Sequence, residues 1–383
     1  MKSKGLPYAY ITCFILYFLQ GGLYDHGSTI PRLSIVFIML VNLFYIGKSI
    51  RYRIKDKVAY SILSFVAFWI VLWLVSPKGY YIFGEDIKTF GELKNSLLFL
   101  TTYFPIKFWL NKNWIAPRDI EYFSYFLITT LIVDCFFTLK EAMISQFWKD
   151  NVTNNGGYLV AIAIPLVGFA FHRKISGVLV FVLMLLTLMS AKRGAILCAS
   201  VEVLFFMRFK CKAIKKRGHV FVFAVVVIVG CFIFLYRYIQ NNEFLMYRFH
   251  SDSSGRDEIY VDAFNAFLGG NIVTMLFGYG FLMTLSVIES YAHCDWLEIL
   301  VDGGICGVIL YGMILWTIFM RYNKIKVRLD DSSRFVFLSA FCCYFLKTIF
   351  SMGLFAPETS ILMLSMSIIL NRVSNANISS KIN

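Results

Sequence analysis

The sequence predicts an all-α, polytopic integral membrane protein with about 12 transmembrane helices, and three observations predict it. Of its 383 residues 58% are hydrophobic and 16% charged, whereas soluble domains carry about 25% charged residues. The apolar residues fall in continuous runs of about 17 to 20, the length at which a helix crosses the roughly 30 Å hydrocarbon layer. Transmembrane barrel strands instead alternate over about ten residues, and only helices and closed barrels satisfy their backbone polar groups in lipid. Third, the charges lie between the runs and alternate in abundance from one connection to the next.

In order, the spans are expected near 6–21, 30–47, 58–76, 95–110, 120–138, 156–171, 175–191, 194–209, 218–237, 303–320, 334–352 and 356–371. With residue 1 in the cytoplasm, 24 Lys and Arg fall inside, about twice as many as outside, with Lys107 and Lys347 lying within spans. That bias sets the orientation, and an even number of spans returns the C-terminus to the cytoplasm. The net charge of +14 therefore reads as a topology signal, not as a nucleic-acid surface. Nine cysteines, among them Cys13, Cys135, Cys198, Cys231, Cys342 and Cys343, sit mostly inside the runs without CxxC spacing. They read as small hydrophobes, with no disulfide framework and no zinc site. The first run lacks a small-residue cleavage signal and is expected to stay as a signal-anchor. The expected organisation is a single membrane domain over 1–383, interrupted by a large external loop at 238–302 between the ninth and tenth spans.

Loops of that length usually carry function. Within it, Ser254 followed by Asp257 makes a capping-box-like start, and Ile259, Tyr260, Ala263, Phe264 and Phe267 recur at helical spacing. A short amphipathic helix at the outer membrane surface is predicted there.

Three basic residues stand out as external or embedded in an unusual pattern: Arg193, Arg256 and His293. From cytoplasmic Lys174 to Arg193 is 19 residues, about 28 Å of helix, which puts Arg193 at the outer interface. If one helix runs from His293 to cytoplasmic Arg321, 28 residues on, its length of about 42 Å puts His293 about 10 Å beyond the hydrocarbon, at headgroup depth. Arg256 falls in the first turn of the loop helix, where free N–H groups favour an anion. Together the three would suit a phosphate-bearing lipid headgroup. Taken singly, each also has a plainer reading. Arg193 would be an interfacial anchor beside Lys192, Arg256 a salt-bridge partner of Glu258 or a neighbouring acid, and His293 a hydrogen-bonded interfacial residue.

Gly303 and Gly307 have the GxxxG spacing of close helix approach, and on one continuous helix Gly304 lies within about 20° of the face of His293. Asp295, Glu298 and Asp302 form a carboxylate stripe on the opposite face, expected to be solvated or ion-paired. A metal site among them is a weaker alternative, since helical spacing alone specifies little.

These residues resemble the O-antigen ligase/polymerase superfamily of membrane glycosyltransferases. The resemblance rests on Ser190-Ala-Lys-Arg193-Gly194, Ser254-Gly-Arg256-Asp257-Glu258 and the Leu276-Phe-Gly-Tyr-Gly280 turn. It continues in Ala292-His293-Cys-Asp-Trp-Leu-Glu and Gly303-Gly304-Ile-Cys-Gly307, with His-x10-Gly-x-x-Gly its most specific element. The resemblance implies metal-independent, inverting transfer of glycan from an undecaprenyl-diphosphate-linked oligosaccharide to an acceptor at the periplasmic face of the bacterial inner membrane, without a cofactor. It implies diphosphate binding by Arg193 and Arg256 and general-base catalysis by His293. A chain-length regulator and a flippase would be its partners, and nucleic acid would not. Cys294 stands where many ligases have an amide or hydroxyl residue, and the Asp295-Trp296 continuation looks more like the polymerases of O-antigen or related polysaccharides. A ligase delivering glycan to lipid A core is the alternative. A transporter or flippase for lipid-linked sugars is a third reading, for which the ionisable residues within spans, Lys107, Asp134, Glu202 and Lys347, would have to line a path.

Overall fold

A computed structural model describes residues 5–19, 28–51, 56–82, 85–144, 156–169, 173–190, 192–210, 237 and 256–379. It is helical but for one hairpin. The helices are α1 (Gly5–Phe18), α2 (Thr29–Arg51), α3 (Lys57–Val75), α4 (Thr89–Thr101), α5 (Tyr103–Asn111), α6 (Pro117–Ile144), α7 (Gly156–Ala163), α8 (Arg173–Met189) and α9 (Arg193–Lys210). They continue with α10 (Arg256–Leu268), α11 (Ile272–Phe277), α12 (Thr284–Val287), α13 (Asp295–Ile325), α14 (Asp331–Phe350) and α15 (Thr359–Ser379). Strands β1 (Gly79–Ile82) and β2 (Glu85–Lys88) pair antiparallel with Tyr80 opposite Ile87.

Among the described residues five helical segments are long and apolar enough to cross a membrane: Thr29–Arg51, Lys57–Val75, Pro117–Thr138, Asp295–Arg328 and Asp331–Phe350. Shorter apolar helices accompany them at Gly5–Phe18, Gly156–Phe169, Ile175–Met189 and Thr359–Arg372. The chain is thus an all-α, multi-pass membrane protein. The expected span at 218–237, apart from residue 237, lies outside the described residues, as does the Ser254 cap. The expected span at 95–110 is divided into α4 and α5 at Thr102.

The chain divides into two compact units, one of Met1–Leu40, Trp109–Asp252 and Leu329–Cys343, the other of Val41–Phe108, Ser253–Arg328 and Tyr344–Asn383. In the first, Tyr10 packs edge-on against Trp109 with ring centroids 5.1 Å apart. All eight residues of α7 are buried, and Gly157 lies against the Ser190 side chain and 3.2 Å from the Cβ of Ala195 as measured from an added Cβ. Small residues there let α7 close on the start of α9. The end of α9 is fixed by Phe206, whose ring meets Phe335 at 5.5 Å.

In the second unit α3 lies along α13. Ser61 and Thr317 share a 2.8 Å hydrogen bond, and the Phe65 and Tyr311 rings sit 5.6 Å apart. Asp56 caps α3 by accepting the Val58 N–H at 3.1 Å. It also accepts from Lys107, from the Tyr103 hydroxyl at 2.5 Å and from Arg321 Nη1 at 2.7 Å. Arg321 Nη2 goes on to Asn371 Oδ1 at 2.8 Å, so one carboxylate ties α3, α5, α13 and α15. Burial alone would raise the Asp56 carboxyl, but the charges of Arg321 and Lys107 prevail and hold it down to about 2. Lys347, also within a span, pairs with Glu358 at 3.2 Å.

Candidate active site

In the second unit, the backbone entering α13 takes a form that the sequence does not announce. His293 has φ +53, in the left-handed region, and Cys294 is extended at φ −147, ψ 116 as the helix N-cap. A helix cannot run through that pair, so α13 begins at Asp295 and the expected helix from His293 to Arg321 is corrected. The straight-helix measure of His293's depth goes with it. A left-handed residue other than glycine costs about 1–2 kcal/mol, which the surroundings must offset. The imidazole is half-buried, its ring 6.4 Å from that of Tyr291.

The surroundings do so through carboxylates. Asp295, Glu298 and Asp302 are all 0% exposed, which corrects the expectation that this stripe is solvated. Asp295 accepts the N–H groups of Gly353 at 2.9 Å and Leu354 at 2.8 Å and the Tyr311 hydroxyl at 3.0 Å. Glu298 Oε2 accepts the Ala292 N–H at 2.7 Å. Asp302 accepts the N–H groups of Leu282 at 2.9 Å and Thr284 at 2.8 Å and the Thr284 hydroxyl at 2.7 Å. The helical spacing of the stripe is as expected. Its oxygens, however, each seize a different loop, and among the described residues they form no metal-holding group. These bonds hold the Ala292 peptide that precedes His293 and the start of α13 that follows it.

Glycines supply the second fastening. Gly304 has φ +61, ψ −162 and breaks α13 internally, so the expected alignment of Gly304 with the His293 face is also corrected. The kink receives the turn after α11. Tyr279 N–H donates to the Val301 carbonyl at 2.9 Å and Gly280 N–H to the Asp302 carbonyl at 3.0 Å, and Gly278 presses on the Asp302–Gly303 peptide. The Gly303/Gly307 pair acts as the close-approach motif: added Cβ atoms would stand 3.2 and 3.5 Å from Phe68 of α3. Ser76, the C-cap of α3, receives the Phe281 N–H at 2.7 Å.

Arg256 opens α10, as expected, with Asp257 and Glu258 in the same turn. Its Nη1 donates to the Phe350 carbonyl at 2.9 Å, at the C-terminus of α14, where a cation suits the helix dipole. Among the described residues this helix-end contact, and no ion pair with Glu258, is seen. Two turns further along α10, Ala263 packs with Ala292 and Val301 in one buried cluster, so the helix that carries Arg256 lies beside the peptide that precedes His293. The predicted apolar spacing holds for buried Ala263 and Phe267, while Phe264 is exposed. Burial, then the charges of Glu92 and Glu298, push the Tyr291 hydroxyl well above its ordinary range. Burial likewise raises the Cys294 thiol, so it stays protonated at neutral pH and is a poor nucleophile.

Arg193 belongs to the other unit and is the first residue of α9. Ser190 ends α8 by donating to the Thr187 carbonyl at 2.6 Å, and Lys192 Nζ stands 5.4 Å over the Tyr158 ring. Lys192 and Arg193 thus stand in succession at a helix N-terminus, the end at which backbone N–H groups favour an anion.

Of the residues singled out in the sequence, His293, Gly303, Gly304, Gly307 and the helix of Arg256 come together in one unit. The roles of Asp295, Glu298 and Asp302 were missed. Their signal was a carboxylate stripe directly beside glycine turns, whose free N–H groups need acceptors.

The sequence model of the family described as O-antigen ligase matches residues 178–312, which include Arg193, Arg256, His293 and the three glycines. A comparison with curated proteins returned no match.

Proposed function

We propose, from the match of residues 178–312 to the O-antigen ligase family model, that the chain polymerises undecaprenyl-diphosphate-linked oligosaccharide repeat units into O-antigen or a related surface polysaccharide. The reaction is assigned to the periplasmic face of the inner membrane, with both termini cytoplasmic. The observation that carries the reading is His293 on an anchored left-handed turn, beside the helix that Arg256 opens.

The chemistry assigns each group a task. The imidazole accepts the proton of an acceptor hydroxyl as its oxygen attacks the anomeric carbon. The bond from that carbon to the phosphate oxygen breaks, configuration inverts, and the undecaprenyl diphosphate leaves with the electron pair. Guanidinium forks match phosphate oxygens and stabilise the charge growing on the leaving group, the task assigned to Arg256 and Arg193. Because the lipid diphosphate is itself the activating group, the proposed reaction needs neither nucleotide nor metal.

A ligase would use the same groups with lipid A core as acceptor. Polymerase is preferred because Cys294 follows His293 and Asp295-Trp296 continues the motif. Two of the four ionisable residues that a transporter would need along its path, Lys107 and Lys347, are instead paired with Asp56 and Glu358, which favours an enzyme. Deleting the gene tests the reading. The polymerase assignment expects surface lipopolysaccharide bearing a single repeat, while bare core with polymer stranded on its lipid carrier would mean a ligase.

A further inference from the structure

Glu298 brackets His293. Its backbone N–H donates to the Cys294 carbonyl at 3.0 Å, and its side-chain Oε2 accepts the Ala292 N–H at 2.7 Å. The residues immediately before and after the imidazole are thus both tied to one residue of α13, and the residue between them takes the left-handed conformation. Ala292 is itself 0% exposed and packed against Ala263 and Val301, so the tie is made inside the protein, out of reach of competing water.

The other carboxylate oxygen is costly to keep there. Glu298 Oε1 is buried and has no hydrogen-bond partner among the described residues, a state that buried carboxylates seldom tolerate. An amide at this position would still accept the Ala292 N–H through its oxygen. Asp302, one turn further along, performs a comparable act on another strained residue: it accepts the N–H of Leu282, whose φ is +58. The helix thus holds two left-handed turns with two carboxylates four residues apart.

We infer that Glu298 is a positioning residue for His293, its carboxylate holding the Ala292 peptide so that the left-handed turn presents the imidazole to the acceptor hydroxyl. This rests on the base role proposed above for His293. Misplacing a base by about 1 Å can lower turnover on the order of a hundredfold without weakening substrate binding.

The test uses the full-length protein in phosphatidylethanolamine/phosphatidylglycerol vesicles with an undecaprenyl-diphosphate-linked repeat unit, comparing wild type, Glu298→Ala, Glu298→Gln and His293→Ala. Glu298→Ala is expected to lower kcat by more than about tenfold with the donor KM within about threefold of wild type, and Glu298→Gln to retain kcat within about tenfold with an unchanged pH profile. A Glu298→Ala variant that is folded and turns over within about tenfold of wild type, or loses only KM, overturns the inference. If Glu298→Ala does not fold, the glutamine variant decides. Folded but slowed by more than about tenfold, it overturns the inference, because the peptide-accepting oxygen is still present; less slowed, it supports it. Full activity of His293→Ala would instead overturn the base role itself.

Discussion

The backbones of Gly304 and Gly278 are in contact. A Cβ added to Gly304 would stand 2.6 Å from the Gly278 nitrogen and 2.5 Å from the Leu276 carbonyl carbon. Both glycines have positive φ, +61 and +78, so each fails to accept a side chain on conformational as well as spatial grounds. The kink of α13 and the turn after α11 therefore exist only as a pair. Gly304→Ala is expected to lower unfolding stability by about 2 kcal/mol or more, from left-handed strain plus backbone collision. Gly312, on the same helix with nearest neighbour Trp296 at 4.0 Å, is the control, where alanine is expected to be neutral or to stabilise by up to about 1 kcal/mol. Thermal unfolding in detergent compares the two.

Asp302→Ala would leave the N–H groups of Leu282 and Thr284 buried without their carboxylate acceptor. Each such group costs about 1–3 kcal/mol, so destabilisation by about 2 kcal/mol or more is expected. Faster proteolysis within 278–294 than at the helix ends would locate the damage.

Arg256 separates fork from charge. Arg256→Ala is expected to weaken binding of undecaprenyl diphosphate by about tenfold or more, and Arg256→Lys to recover only part, since a point charge lacks the bidentate geometry. Titration of tryptophan fluorescence with the free lipid diphosphate measures both. Unchanged affinity in Arg256→Ala would remove the diphosphate role.

Asp56 gives a pH dependence. Its carboxyl is held at about 2 against an ordinary 3.8. The stability it supplies is fully present above about pH 4 and is lost as the pH falls through about 2, where the folded state too takes up the proton. Over that window wild type is expected to lose stability more steeply than Asp56→Asn, measured by chemical unfolding at stepped pH.

Much of this was legible in the sequence because lipid imposes simple rules. Continuous apolar runs gave the helices: α3 and α14 lie within a few residues of the expected ranges, while α13 starts eight residues before its expected span. The GxxxG pair found its partner helix, and Arg256 its place in a first turn. What escaped was local backbone. Nothing in the Ala292-His293-Cys294 order requires a left-handed histidine; that conformation is held by Glu298, Ala263 and Val301 from elsewhere in the chain. Periodicity likewise placed Asp295, Glu298 and Asp302 on one face correctly, but it could not tell that the face meets turns with unpaired N–H groups instead of water. Gly304 reads as a packing residue until its neighbour Gly278 is brought against it. Tertiary hydrogen bonding, not helical propensity, decided each of these.

The central claim is that His293 is the base of a glycan-extending enzyme. The most direct measurement follows the length of glycan on undecaprenyl diphosphate when purified protein is given the lipid-linked repeat unit without nucleotide and with divalent cations chelated. Wild type is expected to produce a ladder of extended products, and folded His293→Ala to fall by at least about a hundredfold. A His293→Ala variant that extends glycan at the wild-type rate would contradict the account.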